Sequence, residues 1–281
     1  MIRVYGDSYT APKGDWKIDH RPTWVDHLGK TLNTEVINLA QPGASTERAY
    51  KLMYLDYQQG KIGSGDVVIF TVSSAGRIHF EYINKEKPGQ AAILNNLDII
   101  ESGSKGKLFL KDRNWLQENI HHIKWWVANA DFDLIHASYG AYVSWIKDQA
   151  YANKDITWVI LYKEMPKYQF FNDHMPSNFI DFRYELDKIS QAEIIEQVSY
   201  GKFTTYTDWD PRGNHFTNQN VEILVKQMAA AITQRDSSML DANGFNRSCI
   251  GVIKNKTDYQ NYIDSGTINY CQYIYETLAD R

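Results

Sequence analysis

Short apolar runs alternate along this chain with longer stretches in which apolar residues recur at helical spacing. The short runs are rich in Val, Ile and Tyr and are bounded by Gly, Asp or Pro, a pattern typical of buried parallel strands. The predicted strands are Ile2 to Tyr5, Val36 to Leu39, Val67 to Val72 and Thr157 to Tyr162, with Phe203 to Tyr206 as a weaker fifth.

Helical spacing fills most of the intervals between these strands. The predicted helices are Thr23 to Leu32, Thr46 to Gln59 with Ser45 as its N-cap, one or two helices within 114–151, and Thr217 to about Thr233. A break in the third stretch is expected near Asp131-Phe132-Asp133 or at Gly140. Alternating strands and helices predict a doubly wound α/β sheet.

Two segments depart from this alternation. Residues 82–113 are densely interrupted by Gly, Pro, Asn and Ser, which predicts an irregular insertion or lid. Beyond Arg235 the pattern loosens and ends in a tyrosine-rich tail. The expected organisation is therefore one domain over 1–235 and a C-terminal extension over 236–281, which packs on the core or docks on another chain and so offers a route to an oligomer or assembly.

Composition limits the classes of binding partner and the cellular compartment that we expect for this protein. The 281 residues carry 30 basic and 34 acidic side chains, a formal charge of −4, which gives no reason to expect nucleic acid or an anionic membrane. The chain opens on a strand without a signal-peptide pattern, and no apolar run reaches membrane-spanning length. Cys249 and Cys271 are too few for a disulfide framework. A cytoplasmic protein with reduced thiols is expected.

The candidate chemistry starts with Gly6-Asp7-Ser8, directly after the first predicted strand. A serine on such a turn is exposed at the sheet edge, where backbone N–H groups can face a developing oxyanion. Much further along the chain, the segment from Asp208 to His215 supplies acids and a histidine. An aspartate–histidine–serine relay is therefore available, with Ser8 as nucleophile and His215 as base.

Other motifs give weaker signals. His121, His122 and His136 lack a carboxylate at ligand spacing, so no metal site is predicted. The loop Gly63-Ser64-Gly65-Asp66 lacks the remaining glycine of a dinucleotide fingerprint. No cofactor is predicted.

The Gly6-Asp7-Ser8 block near the start and His215 before the last helix resemble the first and last blocks of the SGNH, or GDSL, hydrolases. The resemblance covers about residues 1 to 233 and implies a three-layer α/β/α flavodoxin-like fold with a central five-stranded parallel sheet. It also implies that Ser8 attacks an ester carbonyl and His215 takes its proton. The segment 38–45 looks like the second block, which implies that the Gly43 N–H joins the Ser8 N–H in the oxyanion hole.

The chain departs from the family pattern in two places. The third block usually supplies an asparagine, and here 71–77 reads Thr-Val-Ser-Ser-Ala-Gly-Arg. Ser73 or Ser74 is the candidate oxyanion donor instead, and Arg77 is a candidate for binding an anion or a substrate carboxylate. Arg212 stands where the family has its aspartate, three residues before the histidine.

The acid that orients His215 therefore has to come from elsewhere in the last block. Asp210, which lies five residues before the histidine, is favoured because it is nearer, and Asp208 is the alternative.

These observations predict an esterase that acts on O-acyl esters of small molecules or carbohydrates through an acyl-enzyme on Ser8. The competing hypothesis is a catalytically weakened SGNH-like binding or structural module, for example a virion component. The altered third block and the tyrosine-rich tail favour that alternative, and the Ser-Ser-x-x-Arg variant looks similar to phage-encoded members of the family.

Overall fold

The computed structural model describes residues 1–11, 23–41, 44–75, 77–80, 92–95, 125, 129–163, 165, 175–186, 194–197, 202–205, 216, 218–242 and 245. The chain divides into two compact units, one formed by 1–12 with 35–183 and the other by 13–34 with 184–281. The domain boundary at residue 235 stays a prediction. Of the predicted insertion, only Ala92–Asn95 is described, and it forms a strand.

Nine strands are described. They are β1 Ile2–Tyr5, β2 Val36–Asn38, β3 Val67–Val72, β4 Arg77–Phe80, β5 Ala92–Asn95, β6 Thr157–Tyr162, β7 Phe179–Glu185, β8 Ile194–Gln197 and β9 Lys202–Thr205. Five of them form one parallel sheet in the order β2-β1-β3-β6-β7. This is the strand order of the flavodoxin-like doubly wound fold, which confirms the predicted fold class.

The first four predicted strands are confirmed, and the fifth is confirmed as a strand but was wrong as a member of the parallel sheet. Lys202–Thr205 pairs antiparallel with Ile194–Gln197 in a separate hairpin, and Phe179–Glu185 is the fifth strand of the sheet. The Trp158 N–H donates to the Asn178 carbonyl at 2.8 Å, next to the start of β7. Asn178 is fully buried, and its side-chain amide donates to the carbonyls of Ala150, Asn153 and Ile156. These bonds hold β7 against β6.

The register brings the carboxyl ends of three strands together. Tyr5 of β1 lies opposite Phe70 of β3, and β1 pairs with β2 on its other side. Strand β3 continues beyond that pair to Val72, which lies opposite Tyr162 at the end of β6. The loops that follow β1, β2 and β3 therefore leave the sheet at one edge.

Two helices of the first unit pack on the sheet. Helix α2, Thr46–Gln58, begins after Ser45, whose hydroxyl accepts from the Arg48 N–H at 3.4 Å, as the sequence predicted. Helix α3, Phe132–Ala152, is capped by Asp131 and runs through Gly140 without a break. Its start confirms the predicted break near Asp131 and excludes the alternative at Gly140.

The core between these helices and the sheet is strongly aromatic. Its largest fully buried side chains in the first unit include Trp158, Tyr5, Tyr139, Tyr162 and Phe70. The Tyr5 hydroxyl donates to Asp56 of α2 at 2.8 Å. Burial, together with that hydrogen bond, raises the pKa of Tyr5 well above its usual range. Tyr5 thus anchors the end of β1 to α2.

The tyrosines of α2 stack on side chains of α3. Tyr50 and Tyr142 stack with ring centroids 4.1 Å apart, and Trp145 lies edge-on to Tyr50, Tyr54 and Tyr57. Such pairs each contribute about 0.5–1.5 kcal/mol beyond the area they bury. These aromatic residues therefore form a helix–helix interface.

The second unit contains the helices α1, Trp24–Thr31, and α4, Asn218–Gln234, which contact each other. Thr23 and Asp26 form a capping box at the start of α1. Helix α4 buries an apolar face whose residues recur at helical spacing: Val221, Leu224, Val225, Met228 and Ile232. None of the described helices combines the length and apolarity needed to cross a bilayer.

Candidate active site

The turn after β1 is held by Asp7. Its carbonyl accepts from the N–H groups of Thr10 and Ala11 at 3.1 and 2.8 Å. Its Oδ1 accepts from the Tyr9 N–H at 3.0 Å, so the carboxylate spans Ser8 and bonds the backbone two residues on. Asp7 thus stabilises this turn through backbone N–H groups, as an aspartate at the end of a strand is expected to do.

Ser8 lies on this turn at the carboxyl edge of the sheet. The prediction that Ser8 is exposed was wrong: it is 8% exposed and therefore buried. No described residue hydrogen-bonds to its hydroxyl or accepts from its N–H. A hydroxyl that supports no other group can lose its proton to a base without breaking a structural contact. An N–H that has no internal acceptor can donate to an anion formed at the same residue.

The second oxygen of Asp7 is paired with a cation. Asp7 is fully buried, and its Oδ2 lies 2.5 Å from Nη1 of Arg77, whose side chain is 11% exposed. The Ser73 hydroxyl donates to the same Oδ2 at 3.0 Å. A buried carboxylate is tolerated when it is paired and its lone pairs are satisfied, and Arg77 and Ser73 meet both conditions.

These contacts give Ser73 and Arg77 internal partners. Arg77 Nη1 also donates to the Ser73 hydroxyl at 2.9 Å and to the Ala44 carbonyl at 3.4 Å. The Ser73 N–H donates to Oγ1 of Thr46 in the first turn of α2 at 2.8 Å. The Ser73 hydroxyl hydrogen therefore points at Asp7, and one Arg77 nitrogen binds a carboxylate of the protein itself.

The loop after β2 is tied to the same turn. The Asn38 side-chain amide donates to the Thr10 carbonyl at 2.6 Å and accepts from the Ala40 N–H at 3.1 Å. The Gln41 N–H donates to the Gly6 carbonyl at 3.0 Å. The backbone around Ser8 is thus fixed from both sides, by the loop after β2 and by the loop after β3.

Gly6 lies where no side chain fits. A Cβ at this position would come within 2.6 Å of Thr10 Oγ1 and within 2.7 Å of Thr71 Cβ and Oγ1. The register places Gly6 next in line after the Tyr5 and Phe70 pair, directly against Thr71 of β3. Glycine is required here by close approach of the turn to the neighbouring strand.

We expect Gly6→Ala to lower the free energy of unfolding by about 1–3 kcal/mol, because the added methyl overpacks the contact with Thr10 and Thr71. Urea denaturation measures the change. Gly63→Ala is the matched control, since a Cβ at Gly63 meets nothing within 4 Å. Equal stability of the two variants would show that the turn shifts freely.

The described residues bring Ser8, Asp7, Ser73 and Arg77 together, and they add two contributors that sequence reasoning missed, Asn38 and Thr46. The Ser74 carbonyl accepts from the Arg77 N–H at 3.1 Å, which closes the turn after β3. Four predicted site residues lie outside the described residues: Gly43, Asp208, Asp210 and His215. The roles of those four stay predictions.

The position of this cluster matches the place where such sheets bind ligands. The strand order reverses between β1 and β3, because the chain passes from β1 to β2 on one side and then to β3 on the other. Ligands of open α/β sheets bind outside the carboxyl ends of the strands at this reversal. Asp7 and Ser8 follow β1, and Ser73 and Arg77 follow β3, so the cluster occupies that position.

Within the described part of the chain, no three His, Cys, Asp or Glu residues group closely enough to hold a metal ion. Comparisons with protein-family models, curated proteins and solved structures find no match to this chain. The candidate site is thus defined by its residues and by the sheet that carries them.

Proposed function

We propose that this protein is a serine hydrolase that cleaves O-acyl esters through an acyl-enzyme on Ser8. The observation that supports this most strongly is the setting of Ser8. It stands at the strand-order reversal, on a turn fixed by Asp7, while no described residue engages its own hydroxyl or N–H. A fixed position with a free hydroxyl is one requirement of a serine nucleophile, and the adjacent base that it also requires is proposed to be His215.

The proposed reaction proceeds in two halves. The Ser8 hydroxyl attacks the ester carbonyl carbon and gives its proton to His215, and the carbonyl π electrons move to the oxygen. The N–H groups of Ser8 and Gly43 stabilise that oxyanion, each donor contributing about 2.7–4 kcal/mol. Collapse expels the alcohol, which takes the proton from His215. Water activated by the same base then releases the acid and regenerates Ser8.

Asp210 is proposed to orient His215, with Asp208 as the alternative. Both precede the histidine in the last block of the sequence, and an acid in that role holds the imidazole in the correct tautomer. The substrate class proposed is an O-acyl ester of a small molecule or a carbohydrate.

A fluorophosphonate probe tests the nucleophile directly. We expect covalent labelling of the wild-type protein, with the modified peptide carrying Ser8, and loss of labelling in His215→Ala. Comparing Asp210→Ala with Asp208→Ala for hydrolysis of p-nitrophenyl acetate identifies the orienting acid as the position with the larger loss of kcat. A wild-type protein that is neither labelled nor active would refute the proposal.

The second candidate function is a binding or structural module that has lost hydrolysis, such as a virion component. The observation that favours it is the engagement of the loop after β3, where the Ser73 hydroxyl and Arg77 Nη1 are both directed at Asp7. That loop also carries no asparagine to donate to an oxyanion. Absence of both labelling and turnover, with the protein folded, would favour this candidate.

A further inference from the structure

The side-chain donors around Ser8 are largely committed to the protein itself. The Ser73 hydroxyl donates to Asp7, the Asn38 amide donates to Thr10, and the Thr46 hydroxyl donates to the Ser73 carbonyl at 3.4 Å. A side-chain donor at a candidate site that the protein itself does not engage is available to a ligand. Among the described residues at this edge, Arg77 is the cation whose guanidinium keeps donors that no described residue accepts from.

The side-chain hydrogen bonds that Arg77 makes to described residues all use Nη1. Nη1 donates to Asp7 Oδ2, to the Ser73 hydroxyl and to the Ala44 carbonyl. Among the described residues, none accepts a hydrogen bond from Nε or Nη2. The side chain is nevertheless only 11% exposed. A guanidinium holds its donors in one rigid plane, so fixing Nη1 also fixes the direction of the unengaged edge.

The contacts of Asp7 connect Arg77 to the turn that carries Ser8. The Asp7 carboxylate bonds the Tyr9 N–H through Oδ1 and Arg77 through Oδ2, at 3.0 and 2.5 Å. One carboxylate group thus separates the guanidinium from the backbone that carries Ser8. The pairing with Asp7 also compensates the charge of Arg77 before any substrate binds.

We propose that Arg77 is a catalytic residue whose Nε and Nη2 edge donates to the oxyanion formed during acylation of Ser8. The inference rests on the proposed hydrolase function and supplies the side-chain donor that the loop after β3 otherwise lacks. As Ser8 attacks, the carbonyl oxygen gains the negative charge and accepts from the guanidinium, while the Ser8 proton goes to His215. Such charge-assisted bonds are roughly twice as strong as neutral ones.

Arg77→Lys tests this role because lysine keeps the positive charge for Asp7 and removes the second edge. We expect kcat for p-nitrophenyl acetate to fall by about 100-fold or more, with KM little changed, because the lost bond forms only in the transition state. Affinity for a boronic acid that forms a tetrahedral anion on Ser8 falls in parallel. Arg183→Lys is the matched control, an arginine that pairs with Asp181 at 2.6 Å on β7.

A second comparison distinguishes a hydrogen bond from Arg77 to the oxyanion from a role of Arg77 that only supports Asp7. It can be used even if Arg77→Lys fails to fold. Asp7→Asn removes the partner of Arg77, and Asp7→Asn with Arg77→Gln removes both charges. Donation predicts a further loss of about 100-fold in kcat for the double variant. Equal kcat in Asp7→Asn and in the double variant, or wild-type kcat in Arg77→Lys, overturns the inference about Arg77 and leaves the proposed hydrolase function standing. A wild-type protein inert to substrate and probe overturns the proposed function and this inference together.

Discussion

Ser8→Ala is expected to remove nearly all ester hydrolysis while the protein keeps its stability. The expected loss of kcat is about 10⁴-fold or more. The residual activity comes from substrate binding and the oxyanion donors alone. Stability is expected to change by less than about 0.5 kcal/mol, since no described residue hydrogen-bonds to the hydroxyl that is removed. Initial rates with p-nitrophenyl acetate measure the first quantity and thermal melting measures the second.

Ser64→Ala is the control for this substitution. Ser64 is an exposed serine in the loop that enters β3, at the opposite end of the strand from Ser73. We expect wild-type rates and wild-type melting from it. Unchanged hydrolysis in Ser8→Ala would show that another group carries the reaction.

Asp7→Asn is expected to lower the free energy of unfolding by about 3–5 kcal/mol, because it leaves the guanidinium of Arg77 buried without its counter-charge. Asparagine matches the size of aspartate, so the effect isolates the charge. Urea denaturation followed by tryptophan fluorescence measures the change. Kinetics are expected to suffer as well, because the carboxylate also accepts from the Tyr9 N–H and fixes the backbone of Ser8.

A double-mutant cycle checks the origin of that loss. Asp7→Asn with Arg77→Gln removes both charges, and we expect it to be more stable than Asp7→Asn alone because no buried charge remains uncompensated. Lys61→Met is the surface comparison: Lys61 pairs with Asp56 at 2.9 Å but its side chain is 54% exposed. Loss of such a pair is expected to cost about 1 kcal/mol or less. Additive losses at Asp7 and Arg77 would contradict a coupled buried pair.

Periodicity predicted most of the sheet and the helices beside it. Strands β1, β3 and β6 and the caps of α2 and α3 follow local rules, which depend on neighbours three or four residues away or on short apolar runs. Strand β7 was not predicted from periodicity. Asp181 and Arg183 alternate with its apolar residues, and only the sheet shows that Asp181 is buried and pairs with Arg183. The run at 203–206 has more uniform β-formers, yet it pairs locally in a hairpin.

The candidate site was predicted in part. The position of Ser8 and the turn role of Asp7 follow from a strand that ends in Gly-Asp-Ser. The pairing of Asp7 with Arg77 spans 70 residues, and no spacing rule connects them. Arg77 was predicted to bind an anion or a substrate carboxylate; in the structure it pairs with Asp7, and its role toward a substrate stays a prediction.

Sequence alone therefore determined the kinds of elements, the class of sheet and the place of Ser8 on the turn after β1, because these follow from contacts between residues close along the chain. Tertiary structure decided which strand closes the sheet, why Gly6 admits no side chain, and how Arg77 and Ser73 hold Asp7 beneath Ser8. Those features arise where strands that are distant in sequence pair with each other. Packing across the whole sheet sets the register of that pairing.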